Sequence, residues 1–215
     1  QLTATRRVRR YRAVLRAADR AELTDGLRAL ADGYEHPLIA RSSRRERARA
    51  AFVFPGQGGQ WPSMGADAYD HLPAYRAEAD RLDVVLQRGG MPSALTFLTT
   101  AADTATLSQQ ELHSAQFVHA VALAAVWRSV GLVPDLTVGH SLGEVAAAYV
   151  AGAITLDDAV AVLAARARAI AAIPGRHGAA VLGVDPADVD GLIAATPGWL
   201  ELSAVNASRS VAVAG

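Results

Sequence analysis

The residues Gly139-His140-Ser141-Leu142-Gly143 set a serine between two glycines where an apolar run, Leu136 to Val138, gives way to a helical pattern. A serine on such a strand-to-helix turn stands exposed above the strand end, which is the geometry of a nucleophile. The glycines relieve the crowding of the turn, and the backbone N–H of Leu142 points to where an oxyanion would form. The chemistry this spacing predicts is acyl transfer or hydrolysis through an acyl-serine. His140 precedes the serine; consecutive residues of a strand face opposite ways, so it is expected to support the site rather than act as its base. A second loop, Pro55-Gly56-Gln57-Gly58-Gly59-Gln60, ends the apolar run Ala51 to Phe54 and reads as a place where backbone approaches something closely. It is not a dinucleotide fingerprint, because Trp61 occupies the position of the third glycine.

Composition narrows the classes. The 215 residues are 51% hydrophobic and 20% charged, a globular balance with room for a full core. No apolar run approaches the roughly 18 residues that would span a bilayer, and the N-terminus is arginine-rich without an apolar signal core, so the expectation is an unexported, cytoplasmic protein. With no cysteine there is no disulfide, thiolate metal site or cysteine nucleophile, and no metal is expected. Net charge is +0 but uneven: residues 1–50 hold 13 Arg against 6 acidic residues, and the remainder 8 Arg against 15. The basic arm lacks the interleaved aromatics of a single-strand platform and no DNA-binding motif accompanies it, so neither nucleic acid nor membrane is expected as a partner.

The elements that must position these loops follow in order. Residues 10–17 alternate as a half-buried strand, and Asp19 with Glu22 opens a helix carrying Leu23, Leu27 and Leu30 that stops at Gly33. Residues 37–49 read as a solvated connector, with a boundary near Ala50. Beyond it come a strand over 51–54, a helix from Ser114 to Val130, the strand at Leu136, a helix from Leu142 to Ala151 and another from Asp157 to about Ala172. This last helix bears Val160, Leu163, Ala167 and Ile170 on one stripe, with Arg166 at its edge and Arg168 on the far side. Residues 178–184, 200–205 and 210–214 look like strands around a helix over 186–196. The order is α/β, and the closing β-α-β-β is half of a ferredoxin-like unit. Met64 and Trp61 are expected to pack.

The run from Phe52 to Trp61, then Gly139 to Glu144, then an arginine 25 positions after the serine, resembles the acyltransferase domains of modular type I polyketide synthases. Their wider relatives are the malonyl-CoA:acyl-carrier-protein transacylases. The resemblance implies an α/β-hydrolase-like core with a parallel sheet over 51–175. To this it adds an incomplete ferredoxin-like subdomain over 176–215 and, over 1–50, an α/β unit similar to the linker between ketosynthase and acyltransferase. It implies Ser141 as nucleophile, with Gln57 and the Leu142 backbone as oxyanion hole. Arg166 is the implied grip on the free carboxylate of a malonyl-type unit, and His113 and His140 line the substrate site. His113-Ser114 stands where the family has glutamine-proline. The implied general base, a histidine following the ferredoxin-like subdomain, is expected beyond Gly215. The implied substrate is acyl-CoA, with no permanently bound cofactor; the partners are an acyl carrier protein bearing phosphopantetheine and a neighbouring ketosynthase. An α/β serine hydrolase or thioesterase, and an idle docking domain, are the rival readings of the same turn.

Overall fold

The computed structural model describes residues 9, 11–43, 49–100, 107–175 and 177–215. Near the N-terminus β1 (Arg12–Leu15) and β2 (Ile39–Ser42) pair antiparallel, Leu15 opposite Ile39, around the helix α1 (Arg20–Asp32). The capping signal holds: Asp19 Oδ1 accepts from the Glu22 N–H at 2.9 Å, Glu22 answers on the Ala18 N–H at 2.8 Å, and Gly33 closes the helix in the left-handed region. Gly26 lies against Leu15, where a Cβ would come within 2.3 Å of its Cδ1, so the helix rests directly on β1. β2 corrects the expected connector. Its Arg41 and Ser42 read as part of a charge run, yet Arg41 turns back to the C-terminal end of α1, donating to the carbonyls of Gly33 and Tyr34 at 3.2 and 2.7 Å. The expected Leu23–Leu27 stripe is about half exposed.

Beyond Ala50, β3 (Ala51–Phe54) pairs with β4 (Leu136–Gly139) in parallel, Phe54 opposite Gly139. Between them lie α2 (Ala66–His71), α3 (Pro73–Arg88), α4 (Leu95–Thr99) and the long α5 (Gln109–Ser129). The crossover carries the core: Tyr75, Leu82, Leu86, Leu98, Phe117 and Val118 are buried against one another. Asp83 is buried among them and satisfied by the Ala94 N–H at 2.6 Å, with Ser93 Oγ and Gln87 Nε2 also donating. α5 starts five residues before the expected Ser114, at a Ser108–Glu111 capping box that the polar first turn conceals.

After β4 come α6 (Gly143–Ala151) and α7 (Leu156–Ala171), the latter opened by a Thr155–Asp158 capping box. Val160, Leu163 and Ala167 of α7 are buried and Arg168 is exposed, as the helical period requires. The C-terminal part is β5 (Ala179–Leu182), a 3₁₀ turn over Pro186–Asp188, α8 (Val189–Ala195), β6 (Glu201–Ala207) and β7 (Ser210–Ala214). Its antiparallel sheet has the order β5-β7-β6 and its own small core of Val189, Val211 and Val213. No helix among the described residues is long and apolar enough to cross a membrane.

Candidate active site

The strand ends of β3 and β4 bring the two glycine-bearing loops together. The His140 N–H donates to the Phe54 carbonyl at 3.0 Å, continuing the parallel ladder into the turn. Ser141 then takes φ of 52°, a left-handed backbone that a residue with a side chain enters only under local constraint, and α6 begins two residues later. The constraint comes from close packing of main chain on main chain. A Cβ on Gly139 would stand 2.3 Å from the Glu144 Cα, and one on Gly143 would stand 2.2 Å from the Phe54 carbonyl oxygen. Both positions are therefore closed to anything larger than glycine, and Ser141 is forced to the apex. The Leu142 side chain is buried beneath the turn, leaving its N–H ahead of the first turn of α6.

Across the turn, α7 presents Arg166 from the edge of its apolar stripe, and its Nη2 donates to Ser141 Oγ at 2.9 Å. Its Nε is buried without a partner. Next to Arg166 on α5 sits His113, fully buried, with both ring nitrogens and the neighbouring Ser114 Oγ lacking hydrogen-bond partners. Burial above all, then the Arg166 charge, holds His113 below the ordinary histidine range; the Leu163 backbone pulls the other way without reaching hydrogen-bond geometry. His113 is thus a neutral imidazole beside a guanidinium.

The first loop is held from behind by α5. Gln116 Nε2 donates to the carbonyls of Pro55 and Gly56 at 2.9 and 2.7 Å, and Gln57 Nε2 donates to Gln109 Oε1 at 3.1 Å. With its side chain held there, Gln57 has its backbone N–H to offer to an oxyanion. His140 lies between the two loops. A Cβ on Gly56 would meet its Nδ1 at 2.7 Å, while its Nε2 lies 3.0 Å from Asn206 Oδ1 at the end of β6. The antiparallel unit therefore touches the serine turn through a side-chain hydrogen bond between His140 and Asn206.

The structure gathers Ser141, Leu142, Gln57, Arg166, His113 and His140 around one point. Sequence reasoning missed Gln109, Gln116 and Asn206. The first two had a signal: with His113 they fall at i, i+4 and i+7, a polar stripe that runs from the polar first turn into the apolar part of the helix. Asn206 had none beyond a polar residue at a strand end. Trp61 is a correction, since it is 60% exposed at the rim of an apolar cleft of about 540 Å³ behind the loop, lined by Phe52, Met64, Leu123 and Trp127. That cleft touches the turn only through Leu142 and Gly143 and does not include Ser141. Among the described residues no cluster of three or more His, Asp or Glu could hold a metal.

An α/β unit with a strained serine between a glycine-rich loop and an arginine defines a serine acyl-transfer class. The chain belongs to the acyltransferase-domain family, whose model matches residues 51–215. Among its relatives is the spectinabilin polyketide synthase system protein NorA' of Streptomyces orinoci, 40% identical over the whole of this chain but only 6% of that protein. The acyltransferase domain from module 8 of the salinomycin polyketide synthase superposes with a TM-score of 0.79 at 32% identity, covering 99% of this chain and 52% of that domain. An acyl-carrier-protein S-malonyltransferase from Burkholderia pseudomallei gives a TM-score of 0.65 at 31% identity over 78% of this chain and 55% of that one. The chain thus spans about half the length of the solved domains it matches, and its relatives are parts of large multidomain synthases.

Proposed function

We propose that this chain carries the nucleophile half of a polyketide-synthase acyltransferase that loads a malonyl-type unit from coenzyme A onto Ser141 and passes it to an acyl carrier protein. The observation that carries the reading is the 2.9 Å contact between Arg166 and Ser141 Oγ. A malonyl ester on that oxygen places its free carboxylate two carbons from the new ester carbonyl, within the span of the same guanidinium. The planar donor fork of an arginine matches a carboxylate, and such pairing offsets the cost of taking the charge out of water. His113, neutral, leaves the arginine's charge uncompensated until the carboxylate arrives.

The steps follow from the geometry. Ser141 Oγ attacks the thioester carbonyl, and the developing oxyanion is met by the N–H groups of Gln57 and Leu142. The tetrahedral species expels the coenzyme A thiolate, leaving acyl-Ser141; the phosphopantetheine thiol of the carrier protein then attacks the ester and frees the serine. In this reading the serine proton is taken by a histidine that follows the small subdomain, the base that the family resemblance implies. Residues 1–50 are read as a ketosynthase-to-acyltransferase linker, 51–175 as the core and 176–215 as the start of the small subdomain, acting in the cytoplasm. The test is intact-protein mass spectrometry of a protein carrying this chain with its general base, incubated with malonyl-CoA. One malonyl mass on Ser141, discharged by a phosphopantetheine thiol, is expected. No adduct, or discharge only to free malonate, overturns the proposal.

A further inference from the structure

We infer that Gln116 is a positioning residue that aims the Gln57 backbone donor of the oxyanion hole, an inference resting on the reading of Ser141 as nucleophile. Both carbonyls it binds, Pro55 and Gly56, are successive in the loop, and its amide supplies one hydrogen to each. In a trans peptide the N–H lies opposite the carbonyl of the preceding residue. Tying the Gly56 oxygen to α5 therefore turns the Gln57 N–H to the other side of the loop, while the Pro55 oxygen, which a Cβ on Gly143 would meet at 2.6 Å, keeps the loop seated on α6. Gly56 itself packs on the serine turn: a Cβ there would lie 3.4 Å from the Ser141 Cβ and 3.2 Å from the His140 carbonyl oxygen. A flip of the Gly56–Gln57 peptide would exchange the Gln57 N–H for a carbonyl oxygen at the developing oxyanion. The Gln116 donors stand against that flip from 60 residues away in the chain.

A second observation supports a role beyond packing. Gln116 Oε1 is buried with no partner, a cost that a methionine of similar length would not carry. What the position gains in return is the pair of donors. Gln109, seven residues earlier on the same face, holds the Gln57 side chain, so main chain and side chain of the loop are both fixed from one helix.

Gln116→Met keeps length and volume and removes the donors; Gln116→Glu sets a carboxylate against two carbonyl oxygens and regains one donor only when protonated. In the 215-residue chain, NMR should show the Gly56 and Gln57 amide signals moving and exchanging faster in Gln116→Met, with Tm close to wild type. In a protein carrying this chain with its general base, kcat for loading from malonyl-CoA should fall about 10- to 100-fold, with KM changing less than about twofold, because the lost contact acts on the transition state. For Gln116→Glu the deficit relative to wild type should ease as pH falls. Unchanged Gly56 and Gln57 signals, or unchanged kcat in Gln116→Met, overturn the positioning role, as does a loss matched by a fall in Tm. A wild-type protein that never acquires the acyl mass refutes the nucleophile reading instead, and the amide signals still decide the positioning.

Discussion

Gly143→Ala is the sharpest test of how the site is built. The added methyl would lie 2.2 Å from the Phe54 carbonyl oxygen and 2.6 Å from that of Pro55, both main-chain atoms that cannot rotate away. A carbon settles against a carbonyl oxygen no closer than about 3.3 Å, so the turn and the oxyanion loop must separate by roughly 1 Å. Such forced insertions cost about 1–3 kcal/mol, which for a chain of this size lowers Tm by about 4–8 °C near the middle of that range. The same separation pulls Leu142 and Gln57 out of register, and misplacement of that size costs about 100-fold in rate. Gly59→Ala is the control: it lies in the same loop, has no left-handed φ, and a Cβ there meets nothing within 4 Å. Thermal melts of the two variants, with Ser141 loading followed by mass spectrometry, read both effects. Equal Tm and equal loading in Gly143→Ala and Gly59→Ala would refute the claim that close main-chain contact assembles the site.

The backbone of Ser141 gives a second expectation: Ser141→Gly and Ser141→Ala both lose the hydroxyl, but only glycine relieves the left-handed strain, so its Tm should exceed that of the alanine variant by about 2–4 °C. Arg166→Ala should lower loading of carboxylated acyl groups relative to plain ones, and an unchanged ratio in competition between malonyl-CoA and acetyl-CoA would remove Arg166 from the carboxylate site. Burial holds the His119 pKa down and the Tyr75 pKa up, so the part-buried Tyr75–His119 pair, 2.7 Å apart, should limit stability at both ends of the pH scale. Below about pH 6.5 the unfolded chain takes up a proton that folded His119 resists, and above about pH 10 it releases one that folded Tyr75 keeps, so stability falls in both directions. Urea midpoints against pH for wild type and His119→Gln check this; an acid limb unaltered in the variant would assign the loss elsewhere.

The serine turn was legible because its signal is local, two glycines at a strand-to-helix change, even though the carbonyl that confines Gly143, that of Phe54, comes from a distant part of the chain. Arg166 was legible only as an edge position, since the stripe of Val160, Leu163 and Ala167 fixes which way it faces but not what it meets. What Gln116, Gln109 and Asn206 bind was invisible for a related reason, although the first two carried a helical spacing. Their partners lie from 52 to 66 residues away, and a polar side chain within an apolar helix gives no sign of which loop will pass behind it. β2 was missed because charge is a property of side chains and pairing one of the main chain: Arg41 and Ser42 look solvated, and they are, while their backbone completes a ladder with Ala13 and Arg12.

The same distinction explains how the site is divided. Everything that aims backbone at Ser141 comes from main chain packed on main chain, through Gly139, Gly143 and Phe54, or from side chains that grip carbonyls, as Gln116 does. Such contacts resist small displacements and suit an oxyanion hole, whose value depends on donors already in place before charge develops. In the proposed reading, recognition of the acyl group rests instead on Arg166, part-buried beside a neutral His113 and bonded to the Ser141 hydroxyl itself. On that reading a carboxylated substrate would draw the guanidinium from Ser141 Oγ. It thereby frees a lone pair of the attacking oxygen at the moment the acyl group is placed, so recognition and activation share one hydrogen bond.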